Sequence, residues 1–208
     1  MHTNSRLLFE RYALPLFQRG MKVLEIGPDS FPSTYQRLVE DPSIEWHTLD
    51  IHDSPYLTYP NSSEYCFPIP DRFYDVVLSA QVIEHVRRPW EWMPELARIT
   101  REGGLVITIN PVSWPYHEAP VDCWRIYPDG MKALYEDSSL EILFSCWESL
   151  EMPHFHRYRP GISRESHSRI GQIVYGVLSR LGLPVERSYD TITIGRKSGL
   201  AEQDAYLS

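Results

Sequence analysis

The run Lys22-Val23-Leu24-Glu25-Ile26 is short and largely apolar, carries one carboxylate, and stops at Gly27. Pro28, Asp29 and Ser30 continue as a turn, and the spacing beyond them predicts a helix over 32–40. Strand, tight turn and helix in this order are the opening half of a nucleotide-binding α/β unit, where the turn's backbone comes close to the ligand. The turn lacks the G-x-G-x-x-G of the dinucleotide-binding folds. A nicotinamide-dependent oxidoreductase is therefore disfavoured from the start, and Glu25 counts against it as well.

The rest of the chain repeats the α/β alternation. Further strands are expected at 44–49, near 65–67, and at 74–78, 105–109, 141–147 and 190–195, seven with the first. Helices are expected over 5–19, from Pro89 to the Glu102-Gly103-Gly104 stop, and over 128–137. A single domain over 1–208 accommodates them, with an insert at 150–188 between the sixth and seventh strands. Asp50 ends the second strand about twenty residues after the glycine turn. There it can accept hydrogen bonds from both hydroxyls of a ribose, with the apolar Ile51 following.

Several segments, in order, resemble the S-adenosylmethionine-dependent methyltransferases with the Rossmann-like fold. Glu25-Ile26-Gly27 is similar to that family's first motif, acidic-x-G-x-G-x-G, although Asp29 and Phe31 stand at its second and third glycine positions. The run from Phe67 through Asp75-Val76-Val77 resembles its L-P-F-x-D-x-x-F-D-V-V segment, Val82-Ile83-Glu84-His85-Val86 its L-E-H-V, and Glu102-Gly103-Gly104 its L-x-P-G-G. The resemblance covers roughly residues 20–110. It implies a doubly wound, mostly parallel seven-stranded sheet with helices on both faces and an antiparallel last strand. It also implies S-adenosyl-L-methionine as cofactor, with S-adenosyl-L-homocysteine as product. The implied cofactor residues are Glu25 at the methionine ammonium, Gly27 and Asp29 in the turn, Asp50 and Ile51 at the ribose, Glu64 at the adenine, and Ser79 and Ala80 beneath the methionine. Asp29 tolerates positive φ better than most residues and so can replace a turn glycine. The pattern H-x-A-P-x-D-x-W-R at 117–125 resembles a subgroup associated with surface-glycan and secondary-metabolite biosynthesis.

Methyl transfer needs donor and acceptor held in line, and a base where the acceptor is a hydroxyl. His117, Asp122 and His85 are the candidate bases. His117 and Asp122 lie in the long loop expected after the fifth strand. Trp114, Tyr116, Trp124 and Tyr127 supply either an acceptor platform or the loop's own core. The acceptor class is a small molecule or glycan, and the alternative function is a non-catalytic binding or scaffold module with the same fold.

Composition removes other classes. A hydrophobic fraction of 42% is that of a globular chain, and the formal net charge of −8 argues against broad nucleic-acid binding. Three isolated cysteines form no C-x-x-C pair and no zinc spacing. His154 and His156 can share one side of a strand but lack a third ligand, so no metal is expected. The segment 154–181 joins a basic stretch to an amphipathic one, the make-up of a weak membrane-surface contact. No apolar stretch is long enough to span a bilayer, and the expected compartment is the cytoplasm.

Overall fold

The computed structural model describes residues 3–60, 62–117, 121–151, 155–159, 162–166, 169–182 and 188–199. The elements run α1 (Thr3–Leu8), β1 (Lys22–Ile26), α2 (Thr34–Val39), β2 (Glu45–Leu49), β3 (Tyr74–Ala80), α3 (Pro89–Ile99), β4 (Thr100–Pro111), α4 (Pro128–Asp137), β5 (Leu140–Glu148), β6 (Phe155–Arg159), β7 (Ile162–Ser166), α5 (Arg169–Arg180) and β8 (Asp190–Lys197). The first helix continues beyond α1 as a π turn over Phe9–Ala13 and a 3-10 turn over Leu14–Leu16, where Pro15 stands.

The main sheet has six strands in the order β2-β1-β3-β4-β8-β5, and β6 and β7 form a separate hairpin inside the insert. Pairings among β1 to β4 are parallel, and β8 runs antiparallel to both its neighbours. The antiparallel last strand agrees with the sequence expectation; the strand count does not. Instead of a strand near 65–67, the outer edge of β2 carries a single bridge, Leu49 to Tyr59. Pro60, Pro68 and Pro70 remove the amide donors that a longer edge strand needs.

Strand alternation sends side chains to two cores. Leu24, Val77 and Val106 meet Trp92, Met93 and Leu96 of α3 and Met131 and Tyr135 of α4. Val23, Val76, Leu78, Ile107 and Ile194 meet Leu8, Phe9 and Ala13 from the N-terminal helix and Tyr35 from α2. Each fully buried large apolar side chain contributes about 1.5–3 kcal/mol, so both helical layers are held firmly and the carboxyl ends of β1, β2 and β3 are fixed as a group.

The end of α3 differs from expectation. The helix stops at Ile99, with Thr100 in extended conformation and its hydroxyl on the Leu96 carbonyl at 2.7 Å. Gly103 and Gly104 lie inside β4, where pairing with β3 shifts register between Tyr74 and Val76. A Cβ on Gly104 would sit 2.9 Å from the Asp75 carbonyl oxygen, so this glycine serves the bulge and not a helix cap. Arg98 pins the loop before β3 by bonding Glu95, Asp71 and the carbonyls of Phe67 and Ile69.

The apolar side of α5 faces outward: Ile170 is 75% exposed and Leu181 71%. His154 lies outside the described residues and the His156 side chain is not described, as is most of the basic stretch of 154–181. No helix among the described residues is long and apolar enough to cross a membrane.

Candidate functional site

At the carboxyl ends of β1, β2 and β3 lies a cleft of about 260 Å³. Open α/β sheets bind ligands in this place. Ile26 and Gly27 line it after β1, Leu49, Asp50, Ile51 and His52 after β2, and Gln81, Val82, His85 and Val86 after β3. Glu64, Phe67 and Trp92 complete the wall.

Gly27 has φ +72°, and a Cβ there would lie 2.4 Å from Val82 Cγ2. Its amide donates to the Leu49 carbonyl at 2.9 Å, which ties the ends of β1 and β2 together. Asp50 holds His52 through one oxygen, which accepts from the His52 amide at 2.9 Å and contacts its Nδ1 at 2.7 Å. Glu64 accepts from the Arg87 amide at 3.2 Å, so the loop after β2 is pinned to the segment after β3.

The cleft thus gathers five residues singled out in the sequence: Gly27, Asp50, Ile51, Glu64 and His85. Four of the residues expected at the cofactor lie elsewhere. Glu25 alternates to the opposite face of β1 and is 2% exposed, accepting hydrogen bonds from Ser33 and, at 2.9 Å, from Trp46 Nε1. Asp29 is not among the residues with positive φ. Its carboxylate accepts from the Thr34 amide at 2.9 Å and the Thr34 hydroxyl at 2.7 Å, beside the Ser33 cap on the Gln36 amide. Despite partial desolvation, these bonds hold the Asp29 carboxyl below its ordinary range. Asp29 therefore does not mimic a turn glycine; it anchors the first turn of α2. Ser79 is buried at the end of β3 with no hydrogen-bond partner for its hydroxyl, and Ala80 follows, packed against the second core.

Glu25 makes stability depend on pH. Burial pushes its carboxyl up to about 7, against the pull of Ser33 and Trp46. The folded pKa lies above that of the unfolded chain. From about pH 4.5 to 7 the folded protein therefore keeps a proton that the unfolded chain has released, and stability falls as pH rises, by up to about 1.4 kcal/mol per unit. Urea unfolding of Glu25→Gln should show a loss between pH 5 and 7.5 smaller than wild type by at least ~1 kcal/mol; matching slopes would contradict this account.

The loop after β4 folds back onto the segment after β3. The Cys123 and Trp124 amides donate to the Glu84 carbonyl at 2.7 and 3.3 Å, and Trp124 Nε1 donates to the Val86 carbonyl at 2.9 Å. His85 Nδ1 bonds the Val121 carbonyl. Arg125 grips Asp122 with two nitrogens, at 2.5 and 2.7 Å, and also bonds the carbonyls of Trp114 and Pro115. Asp122 also accepts the His117 amide at 2.8 Å. Against some desolvation, Arg125 and that amide hold the Asp122 carboxyl below its usual range. So Asp122 is a clamp of the loop, poorly suited to removing a proton.

The clamp delivers His117. Its Nδ1 meets the Pro115 carbonyl at 3.1 Å, and its ring stands edge-on to His85 with centroids 5.0 Å apart. A carbonyl only accepts, so both imidazoles carry hydrogen on Nδ1 and, when neutral, a lone pair on Nε2. Burial pushes the His85 imidazole below its ordinary pKa. Beside them is Glu84, which sequence reasoning passed over. It is 1% exposed, neither carboxylate oxygen has a hydrogen-bond partner, and burial pushes its carboxyl up to about 8. Its signal was present: a carboxylate inside the otherwise apolar run Val82–Val86. Gln81 and Val82 were missed too, and Gln81 takes φ +57° at the cleft wall. Of the loop's aromatic residues, Trp124 packs against Trp90 and Tyr127 against Trp147.

Residues 12–108 match the methyltransferase domain family. A curated methyltransferase of uncharacterised activity from Mycobacteroides abscessus is 36% identical over 102 residues, 43% of this chain and 39% of that protein. The match thus spans about two-fifths of that relative's length. Among solved structures, an S-adenosylmethionine-dependent methyltransferase from Archaeoglobus fulgidus superposes with a TM-score of 0.59 at 18% identity, covering 93% of this chain and 95% of that one. The [4+2]-cyclase SpnF superposes with 0.58 at 16% identity, over 93% and 79%. At these identities the structural likenesses show the fold, and the cyclase shows that this fold carries more than one chemistry. The sheet order and the cleft thus agree with the match over 12–108: that part of the chain is similar to the methyltransferase domain family, on a Rossmann-like α/β fold.

Proposed function

We propose that the protein transfers a methyl group from S-adenosyl-L-methionine to an oxygen of a small-molecule or glycan acceptor. The observation that carries the reading is the continuity of two sites: His85 lines the cleft at the sheet's carboxyl edge and also touches His117 on the returning loop. The cleft fits the cofactor. It has a carboxylate, Asp50, at the end of β2, an apolar cover from Ile51, Phe67 and Val82, and a glycine at β1 where a side chain would strike Val82.

The bound cofactor supplies a methyl group already activated on a sulfonium. The protein's part is to hold, orient and exclude water. Asp50 receives the ribose hydroxyls with Ile51 beside it, Glu64 borders the adenine, and Gly27 lets the backbone approach the methionine end, with Ser79 and Ala80 supporting the strand end from behind the cleft wall. Asp29 and Glu25 act one step back, by fixing the turn and the start of α2. His117 Nε2 takes the acceptor proton, with Asp122 and Arg125 holding the ring's loop and His85 limiting its tilt. Tyr116, which is 69% exposed and directly precedes His117, offers an apolar face for a sugar or aromatic ring.

The reading is tested by calorimetric titration with S-adenosylmethionine, S-adenosylhomocysteine and NAD. Binding of the first two at micromolar or tighter affinity is expected, with Asp50→Ala weakening both by about 10- to 150-fold, the worth of a lost charge-assisted contact. NAD binding without the other two would overturn the reading. Cofactor binding with no turnover on hydroxylated acceptors would leave a binding module on the same fold.

A further inference from the structure

We infer that Glu84, His85 and His117 form a site for a divalent transition-metal ion at the acceptor side of the cleft. Each residue offers one ligand atom, and these atoms lie within 4.8 Å of one another. The residues come from two separate segments, joined only because the loop after β4 docks on the segment after β3.

Three observations point to a ligand there and not to a packing accident. The Glu84 side chain is buried, with both oxygens lacking a hydrogen-bond partner, a costly arrangement unless something else satisfies them. His85 Nε2 is 3.8 Å from Glu84 Oε1, too long for a hydrogen bond but close to the ~3.4 Å edge of a tetrahedron with bonds of about 2.1 Å. Both histidines turn Nδ1 to a backbone carbonyl, Val121 and Pro115. That is the outer-shell arrangement that fixes a metal-binding tautomer, and in His85 it leaves Nε2, the nitrogen facing Glu84, to ligate. Arg125, whose charge acts on Glu84, is engaged by its two-pronged contact with Asp122 and so opposes a bound ion less.

Two imidazoles and one carboxylate suit zinc, iron or manganese better than calcium or magnesium. Three protein ligands leave positions open, as in sites that bind substrate or water. Since His85 also lines the cleft, those positions adjoin the space where an acceptor would meet the cofactor. A hydroxyl bound to the ion releases its proton to water near neutral pH. The ion would then replace the His117 lone pair as the means of deprotonation. This role rests on the methyltransferase reading; the binding of the ion does not.

The test uses the untagged full chain, freed of metal by a chelator and titrated with zinc against a colorimetric chelator. One equivalent is expected to bind at micromolar affinity or tighter, with magnesium and calcium much weaker. Glu84→Gln, which keeps size and shape, and His117→Ala should each weaken zinc by about 100-fold or more, the effect of losing a ligand exceeding that of an outer-shell partner. Manganese in the same site should relax solvent protons, because open positions hold water. Thermal melts confirm that the variants fold. Zinc binding that both variants retain at full strength, or no stoichiometric binding by the wild type, would overturn the proposal. S-adenosylmethionine titrations on the same samples separate the failures: a protein that binds zinc through these residues but no cofactor keeps the metal site and loses the methyltransferase role.

Discussion

Gly27→Val should abolish measurable S-adenosylmethionine binding, a loss of at least ~100-fold, and lower stability by about 2–5 kcal/mol. Two costs add. Positive φ charges an L-residue about 1–2 kcal/mol, and φ here is +72°. Overpacking costs a further ~1–3 kcal/mol, because the new Cβ would lie 2.4 Å from Val82 Cγ2. The strain can be relieved only by moving the turn or the segment after β3, and both line the cleft. Isothermal titration and urea unfolding read the two effects separately. Pairing the substitution with Val82→Ala removes the collision but leaves the φ penalty, so stability should recover in part. A Gly27→Val protein that binds the cofactor normally would show that the cleft is not where the cofactor sits.

The second large effect is at His117. Removing a general acid–base group typically slows the chemical step by about 10²–10⁴-fold. His117→Ala should lose turnover on that scale while cofactor affinity changes little, since His117 does not line the cleft. Unchanged turnover would remove it from the chemistry. A parallel measurement on Glu84→Gln distinguishes the two ways the residue can act. A free base predicts that Glu84→Gln retains most activity and that added imidazole restores part of the His117→Ala rate. A metal-bound hydroxyl predicts that both variants fall together and that imidazole restores little. Asp122→Asn gives a third pattern. Its carboxylate holds the loop through Arg125 and the His117 amide, so loosening it should raise KM along with lowering kcat.

Much of the scaffold is legible in the sequence because its causes are local. Apolar runs bounded by turn residues give β1, β2, β3, β5 and β8 within a few residues of their observed ends, and Pro128 with the apolar spacing after it gives α4 over Pro128–Asp137. Gly27 and Asp50 could be placed in a cleft because strand ends in such a fold come together wherever the sheet is parallel. The bulge at Gly103–Gly104 was not legible, since a glycine pair after a helical stretch reads equally as a cap. The strand near 65–67 failed for a related reason: short aromatic content suggests pairing, but the prolines around it remove donors that only the sheet edge requires.

The side chains divide in the same way. Glu25 sits in a strand whose period of two puts it opposite Ile26. Sequence supplies that alternation but not which face holds the ligand, and the fold gives the cleft to Ile26 and the buried Ser33–Trp46 pocket to Glu25. Asp29 occupies a motif position, but its worth comes from Thr34, five residues on, whose amide needs an acceptor at the start of α2. The sequence by itself determined an α/β domain with its glycine turn and its Asp50. Tertiary structure alone decided that His117 meets Glu84 and His85. That meeting depends on a loop clamped by Arg125 and Asp122 and docked by the Cys123 and Trp124 amides, and no periodicity encodes contacts made across more than thirty residues.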